Sequence, residues 1–359
     1  MRVLVAPGPF GRLGAGEAAS AIANAWREAS PHVEVVTAPQ ADGGIGTAQV
    51  LGSAQHAQPI VVDAQAATVP AFLSADRSRA WIDSAEAEAA GGEDSASLGA
   101  AVASLLADGV RTLVIGLGGV RSLDGGRGFV RALAGSADAD GVRRARELLA
   151  DTTVTAVANT DRQLLGFHGA CYPAIEELGL DKTDAQAAEQ AMGEWLDVVR
   201  AAIPARRDLL QGKPIRPEKE RGAGAAGGLG FLLFALGAQL VAGPTYVAGQ
   251  TGLAEKITHC DLVVTATQVF DWRVLEHSVL AEVTSAAATA ATPAVVLADE
   301  VHVGRREQMS LGVQGAYSVN KSGWMRPVPA SAAELAESLP GLARRVAGTW
   351  TPPPRTDVP

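Results

Sequence analysis

The chain has 359 residues, enough at roughly 100 to 200 residues per domain for two domains and at most three. Apolar residues make up 47% but aromatics only 4%, so the interior must be built from small side chains between closely packed elements, as layered α/β architecture permits. The net charge of -9 repels an extended phosphate backbone, which argues against nucleic acid as a partner.

Cys171 and Cys260 lie far apart without CxxC spacing or a His cluster, so buried free thiols are expected rather than a zinc site or a disulfide. The opening MRVLVAPGPF has an apolar run that stops at Pro7, too short for a signal peptide, and no stretch approaches 18 uninterrupted apolar residues. A cytoplasmic protein without membrane contact is expected.

In chain order, residues 2–6 read as a buried strand, 7–16 as a loop, 17–29 as a helix and 33–37 as a second strand, a βαβ start. An Ala- and Leu-rich helix from residue 96 ends near Gly109, and RTLVIGLGG follows as a central parallel strand running into a Gly-rich turn. Residues 153–158 read as another such strand, 182–203 as a helix and 211–222 as a polar, Pro-rich surface loop. GAGAAGGLG at 222–230 opens an apolar helix to about residue 238. Strands at 261–265, 294–298 and 313–319, with a helix over 279–291, complete an α/β chain with largely parallel sheets. The closing TPPPRTDVP suits neither helix nor strand.

Five segments can carry chemistry. APGPFGRL at 6–13 sits where an α/β protein places ligand contacts, yet Arg12 is its only charge; the alternative is a tight turn stiffened by Pro7 and Pro9. In ADGGIGT, Gly43, Gly44 and Gly46 can bring N–H groups to an anion, while Asp42 can hold a hydroxyl or a metal. GLGGVRSLDGGRG offers backbone donors at Gly116, Gly118 and Gly119 beside Arg121, Asp124 and Arg127, a pattern suited to a phosphate site or to a solvated charge cluster on a turn. Gly224, Gly227 and Gly228 stand at a helix start, where either an anion or close helix packing selects small residues. TATQVFDWRVLEH brings Asp271, Arg273, Glu276 and His277 after a strand, His277 being a base or part of a solvated face. Neither GxGxxG with a distal acid nor GxxxxGK[ST] fits these loops, which disfavours an ordinary dinucleotide fold or P-loop.

In this order, the opening VLVAP with Phe10, then QADGGIGT, LVIGLGGVRSLDGG, GAGAAGGLGFLL and TGLAEKITHCDLVVT resemble the bacterial glycerate kinase family from Met1 to about Val319. The resemblance implies a two-lobed α/β fold with largely parallel sheets. A Rossmann-like domain would comprise residues 1–62 plus 240–345, with residues 63–239 inserted as a second α/β domain and 346–359 a disordered Pro-rich tail. It implies ATP-dependent phosphorylation of D-glycerate with Mg, in a cleft between the domains, and leaves a homodimer open. Asp42, Asp124 and Asp271 would orient substrate, bind Mg (Asp124 and Asp271) or act as base, the glycine loops would bind ATP phosphates or the glycerate carboxylate, and Arg12 or Arg121 would supply a cation.

The chain departs from the family pattern at polar positions. APDSFKGS becomes APGPFGRL, with Gly8 for Asp, Pro9 for Ser and Gly11 for Lys. Ile45 replaces an acid, Val120 a Ser, Leu123 an Asn, Thr267 a Glu and Ser278 a Lys; Asn159 stands for an Asp and Arg162 for an Asn. None of Lys182, Lys213, Lys219, Lys256 and Lys321 falls in a glycine signature. These losses raise an alternative: a catalytically impaired family member that binds a small acid or nucleotide in a regulatory role.

Overall fold

The computed structural model describes residues 1–65, 67–204, 207, 212–274, 277–319 and 331–351. Two units emerge, Met1–Ala41 with Val247–Pro359 and, between them in sequence, Asp42–Tyr246.

The first unit opens with β1 (Arg2–Val5), α1 (Ala15–Ala29) and β2 (Glu34–Thr37). The second runs through α2 (Thr47–Ala54), β3 (Gln58–Asp63), β4 (Thr68–Leu73), β5 (Arg79–Asp83), α3 (Ser84–Gly91), α4 (Ala96–Ala107), β6 (Thr112–Gly116), α5 (Arg127–Ala134), α6 (Ala139–Leu148), β7 (Thr153–Ala158), α7 (Ala174–Glu177), α8 (Lys182–Ala202), α9 (Leu229–Leu236) and β8 (Gln239–Ala242). After α10 (Gly243–Gln250) the chain continues through α11 (Leu253–Thr258), β9 (Leu262–Phe270), α12 (Val279–Thr289), β10 (Ala294–Val301), α13 (Arg305–Ser310), β11 (Val313–Ser318) and α14 (Ala332–Trp350).

The first unit's sheet, ordered β11-β10-β9-β1-β2, is wholly parallel. Strand side chains alternate between faces, and in β1 both faces are buried, which is why the run is continuously apolar. Val3 and Val5 pack with Ile22 and Trp26 of α1 and Leu339 of α14, while Leu4 packs with Leu253, Ile257 and Val283 of α11 and α12.

The second unit's sheet is ordered β3-β4-β5-β6-β7-β8. Strands β5 to β8 are parallel, so their C-terminal ends share one edge, whereas β3 and β4 add antiparallel pairs. One large apolar core joins β4–β7 to α4, α5, α6, α8 and α9. Small residues matter here: a Cβ on Gly99 of α4 would collide with the Phe129 backbone of α5, so Gly permits that approach.

Two boundaries differ from the sequence expectation. The inserted unit starts at Asp42 rather than residue 63 and ends at Tyr246 rather than residue 239, because β3 pairs with β4 and β8 pairs with β7. Residues 346–350 belong to α14 and not to a disordered tail. Val346 and Ala347 are buried with Trp26, whose indole Nε1 donates to Thr351 Oγ1 at 3.1 Å. The Pro-rich remainder, 352–359, lies outside the described residues.

Deleting residues 346–359 is therefore expected to destabilise the first unit by on the order of 3 kcal/mol, the usual scale for losing one or two buried apolar side chains. Urea unfolding followed by tryptophan fluorescence would read this; an unchanged midpoint would show that the end of α14 contributes nothing.

Candidate functional site

Four segments meet at the carboxyl edge of β5–β8, all within the second unit. The 42–46 loop crosses the end of β7, where a Cβ on Gly43 would come within 2.6 Å of the Val157 carbonyl oxygen. The loop after β6 passes beside it, with Gly118 N donating to Gly43 O at 2.8 Å. A Cβ on Gly118 would lie 2.7 Å from the Asn159 side chain, at the head of the loop after β7. The 222–228 loop wedges between its neighbours: Gly224 N donates to Arg162 O at 2.9 Å, and Gly227 O accepts from Gly125 N at 3.0 Å. Glycine is required at these crossings because backbone must lie against backbone.

Around this meeting point lies a cavity of about 280 Å³, whose lining includes Gly119, Val120, Leu123, Asn159, Thr160 and Arg162 together with residues 224–227. The N–H groups of Gly119 and Val120 donate to no described residue. Arg162 pairs bidentately with Glu177 at 2.6 and 3.0 Å, so a guanidinium and its carboxylate share the cavity wall.

Most other loop donors are already paired with the protein's own oxygens. Gly43 N donates to Thr47 Oγ1 at 3.1 Å, Gly44 N to Asp42 Oδ1 at 2.9 Å and Gly46 N to Asp83 Oδ2 at 2.9 Å. Ala48 N donates to both Asp83 oxygens, at 3.0 and 3.2 Å. The expectation that Gly43, Gly44, Gly46, Gly118, Gly224 and Gly228 offer N–H groups to a ligand thus meets a different arrangement, in which each donates within the protein. Gly116 has another role: a Cβ there would collide with Asp83 Oδ1, so glycine makes room for that carboxylate.

Asp124 is likewise committed. Its Oδ2 accepts from Ser95 Oγ at 2.6 Å, Gly128 N at 2.9 Å and Ser95 N at 3.2 Å, and its Oδ1 accepts from Gly126 N at 2.9 Å. A carboxylate offers about four lone-pair sites, so this one is near saturation and braces the start of α5. That geometry does not fit the expected metal ligand or base. Asp42 retains its second oxygen. In the first unit, Asp271 is 17% exposed, with Oδ1 accepting from Arg273 N at 2.8 Å and Oδ2 3.9 Å from Arg273 Nε. Arg12 and Arg121 are both exposed. His277 is exposed as well, and Glu276 lies outside the described residues.

Some of the replaced family positions have found structural uses. Ser278 caps α12 by accepting from Ala281 N at 3.1 Å, and Gly8 is buried against Val279. Phe10 and Leu13 exchange backbone hydrogen bonds at 2.9 and 3.0 Å, closing the 8–13 loop on itself.

Sequence reasoning missed Asp83, Glu88 and Glu177. Asp83 is 1% exposed and sits at the end of β5 in a stretch without glycine or a recognisable motif. Its one legible signal was an acid closing the apolar run AWID. Burial pushes its carboxyl from 3.8 up to about 7, with repulsion from Glu86 and Asp42 adding to the rise and hydrogen bonds from Ala48 and Gly46 opposing it.

The sequence profile of the glycerate kinase family matches residues 3–351. The chain belongs to the glycerate kinase family. A protein of Mycobacterium bovis, described only as uncharacterized, is 32% identical over 97% of this chain and 91% of its own length. Escherichia coli glycerate 2-kinase is 26% identical over 74% of this chain and 76% of its own. In fold, the chain resembles a crystal structure of a protein assigned as glycerate kinase 2 from Salmonella typhimurium LT2, with a TM-score of 0.70, 23% identity and coverage of 97% and 98% of the two chains.

Two outcomes test the roles of the acids. Asp124→Ala strands Ser95 and two N–H groups and is expected to destabilise the protein by about 2 to 4 kcal/mol; a variant of wild-type stability would free Asp124 for chemistry. Because the folded-state value of Asp83 is raised, its contribution to stability is complete below about pH 4 and is lost as pH rises through about 7. The stability of wild type relative to Asp83→Asn should therefore fall across that window in urea titrations, and a flat difference would contradict the shift.

Proposed function

We propose that this protein transfers a phosphoryl group from ATP to a hydroxyl of D-glycerate or a closely similar hydroxy acid. The observation that carries the reading is the cavity beside Gly119 and Val120, where open N–H groups and Arg162 meet at the carboxyl edge of a parallel sheet. Such edges are where α/β folds place ligands, and phosphoryl transfer depends chiefly on positioning and on donors that offset charge. In this reading the Gly119 and Val120 N–H groups hold an anionic oxygen, Arg162 exchanges Glu177 for the ligand, and Asn159 orients a hydroxyl. Arg12 and Arg121 remain the candidate cations nearest the sequence signatures.

Magnesium supplies charge neutralisation to the transferred group when bound with nucleotide. Among the described residues no three His, Cys, Asp or Glu side chains gather as a metal cage. Magnesium often takes only one or two protein carboxylates, the rest of its shell being phosphates and water. Each taken by itself, Asp42 in the second unit keeps one oxygen that fits that modest demand and Asp271 in the first unit offers a carboxylate already paired with Arg273, whereas Asp124 does not fit. No helix among the described residues is long and apolar enough to cross a membrane.

A second reading is favoured by the commitment of Asp124 to loop bracing and by Gly8, Gly11, Ile45, Leu123, Thr267 and Ser278 at polar family positions. It holds that the protein binds a small acid or nucleotide without efficient turnover. Loss of a general base alone costs about a hundred- to ten-thousandfold in rate.

Incubating the protein with ATP, Mg and D-glycerate separates the two. The kinase reading expects phosphoglycerate to form faster than with an Asp271→Asn variant. Turnover equal to that variant, together with calorimetric binding of glycerate or ATP, would select the impaired reading; absence of both would reject each.

A further inference from the structure

We infer that Glu88 gates an anion site formed by the consecutive main-chain N–H groups of Gly119–Ser122, whose ligand is a phosphate or carboxylate group. The inference deepens the proposed function, because it identifies what the open end of this loop receives and what holds it closed.

Glu88 reaches from α3 to the loop after β6. Its Oε2 accepts from Arg121 N and its Oε1 from Ser122 N, both at 2.7 Å. This is a two-pronged contact on successive N–H groups, the geometry that a ligand carboxylate or two phosphate oxygens would reproduce. The two preceding residues, Gly119 and Val120, carry the open N–H groups of the cavity, and Gly119 has φ +83°. The Ser122 hydroxyl is buried and has no hydrogen-bond partner, leaving a further polar group at the same turn unsatisfied. A buried hydroxyl in that state is costly and points to a missing partner.

Glu88 also differs from the chain's other loop-bracing acids. Asp83 and Asp124 are short side chains that tie helix starts, and Asp124 accepts a hydroxyl as well. Glu88 is only half-buried, hangs on a longer and more flexible side chain, and among the described residues its carboxylate hydrogen-bonds to the loop alone. It can swing away without uncovering a core. Its negative charge repels any anion that approaches the open donors, so ligand affinity is set by the cost of displacing it.

The test titrates inorganic phosphate and, separately, D-glycerate into wild type, Glu88→Gln and Glu88→Ala, following backbone amide resonances and heats of binding. The expected result is a gain of tenfold or more in affinity in both variants for one of the two anions, with shifts centred on residues 119–122. The anion preferred identifies phosphate or carboxylate as the ligand group. Unchanged or weaker binding in both variants, or shifts centred elsewhere, overturns the gate. Variants that melt far below wild type would make Glu88 a structural brace and also overturn it. Turnover of glycerate by wild type without any gain in the variants rejects the gate alone, while a gain without turnover keeps the gate and rejects the kinase reading.

Discussion

The buried carboxylate of Asp83 ties together the parts on which the second unit's carboxyl edge depends. It lies over Gly116 at the end of β6, where any side chain would collide with it, and it accepts the first N–H groups of α2. An ionised acid almost fully removed from water is unfavourable, which is why its carboxyl is pushed up to about 7. The helix start and its hydrogen bonds compensate in part. Through Gly46 and Ala48 this one residue sets the path of the 42–47 loop, which in turn lies against Gly118 and the end of β7.

The same physical solution recurs along the 42–47 and 116–128 loops. Glycine brings backbone close to backbone, and the N–H groups thus exposed need acceptors. Asp83 serves the start of α2, Asp124 the start of α5, and Glu88 the turn at Arg121 and Ser122. A sequence rich in phosphate-cradle signatures has therefore satisfied most of its cradles internally. Among the described residues the N–H groups of Gly119 and Val120 stay open, beside an arginine already paired with Glu177.

That pattern bears on how the loss of polar family residues is understood. Ser278 has become a helix cap, and the 8–13 loop is closed by its own backbone bonds around a buried Phe10. These replacements serve local structure, and Arg12 is the one charge that the 8–13 loop carries. Beside the open N–H groups the cavity wall carries Arg162, a position that no ordinary dinucleotide or P-loop motif would mark.

Apolar runs alone revealed the parallel strands, since β1, β6, β7, β9 and β10 are each buried along most of their length. The ordered glycine signatures likewise determined the family. Hidden from sequence were β3–β5, whose antiparallel pairing is specified by partners across the sheet, and the end of α14, which is held by burial against Trp26. The roles of the acids were hidden for the same reason. Asp124 reads as a catalytic carboxylate beside two glycines, and only the approach of Ser95 from α4's start turns it into a brace. Asp83 reads as an unremarkable strand end until Gly46 and Ala48 fold onto it. Composition and spacing could establish which residues this scaffold carries; which oxygen each N–H group finds is a matter of distance between segments far apart in the chain, and tertiary packing alone decides it.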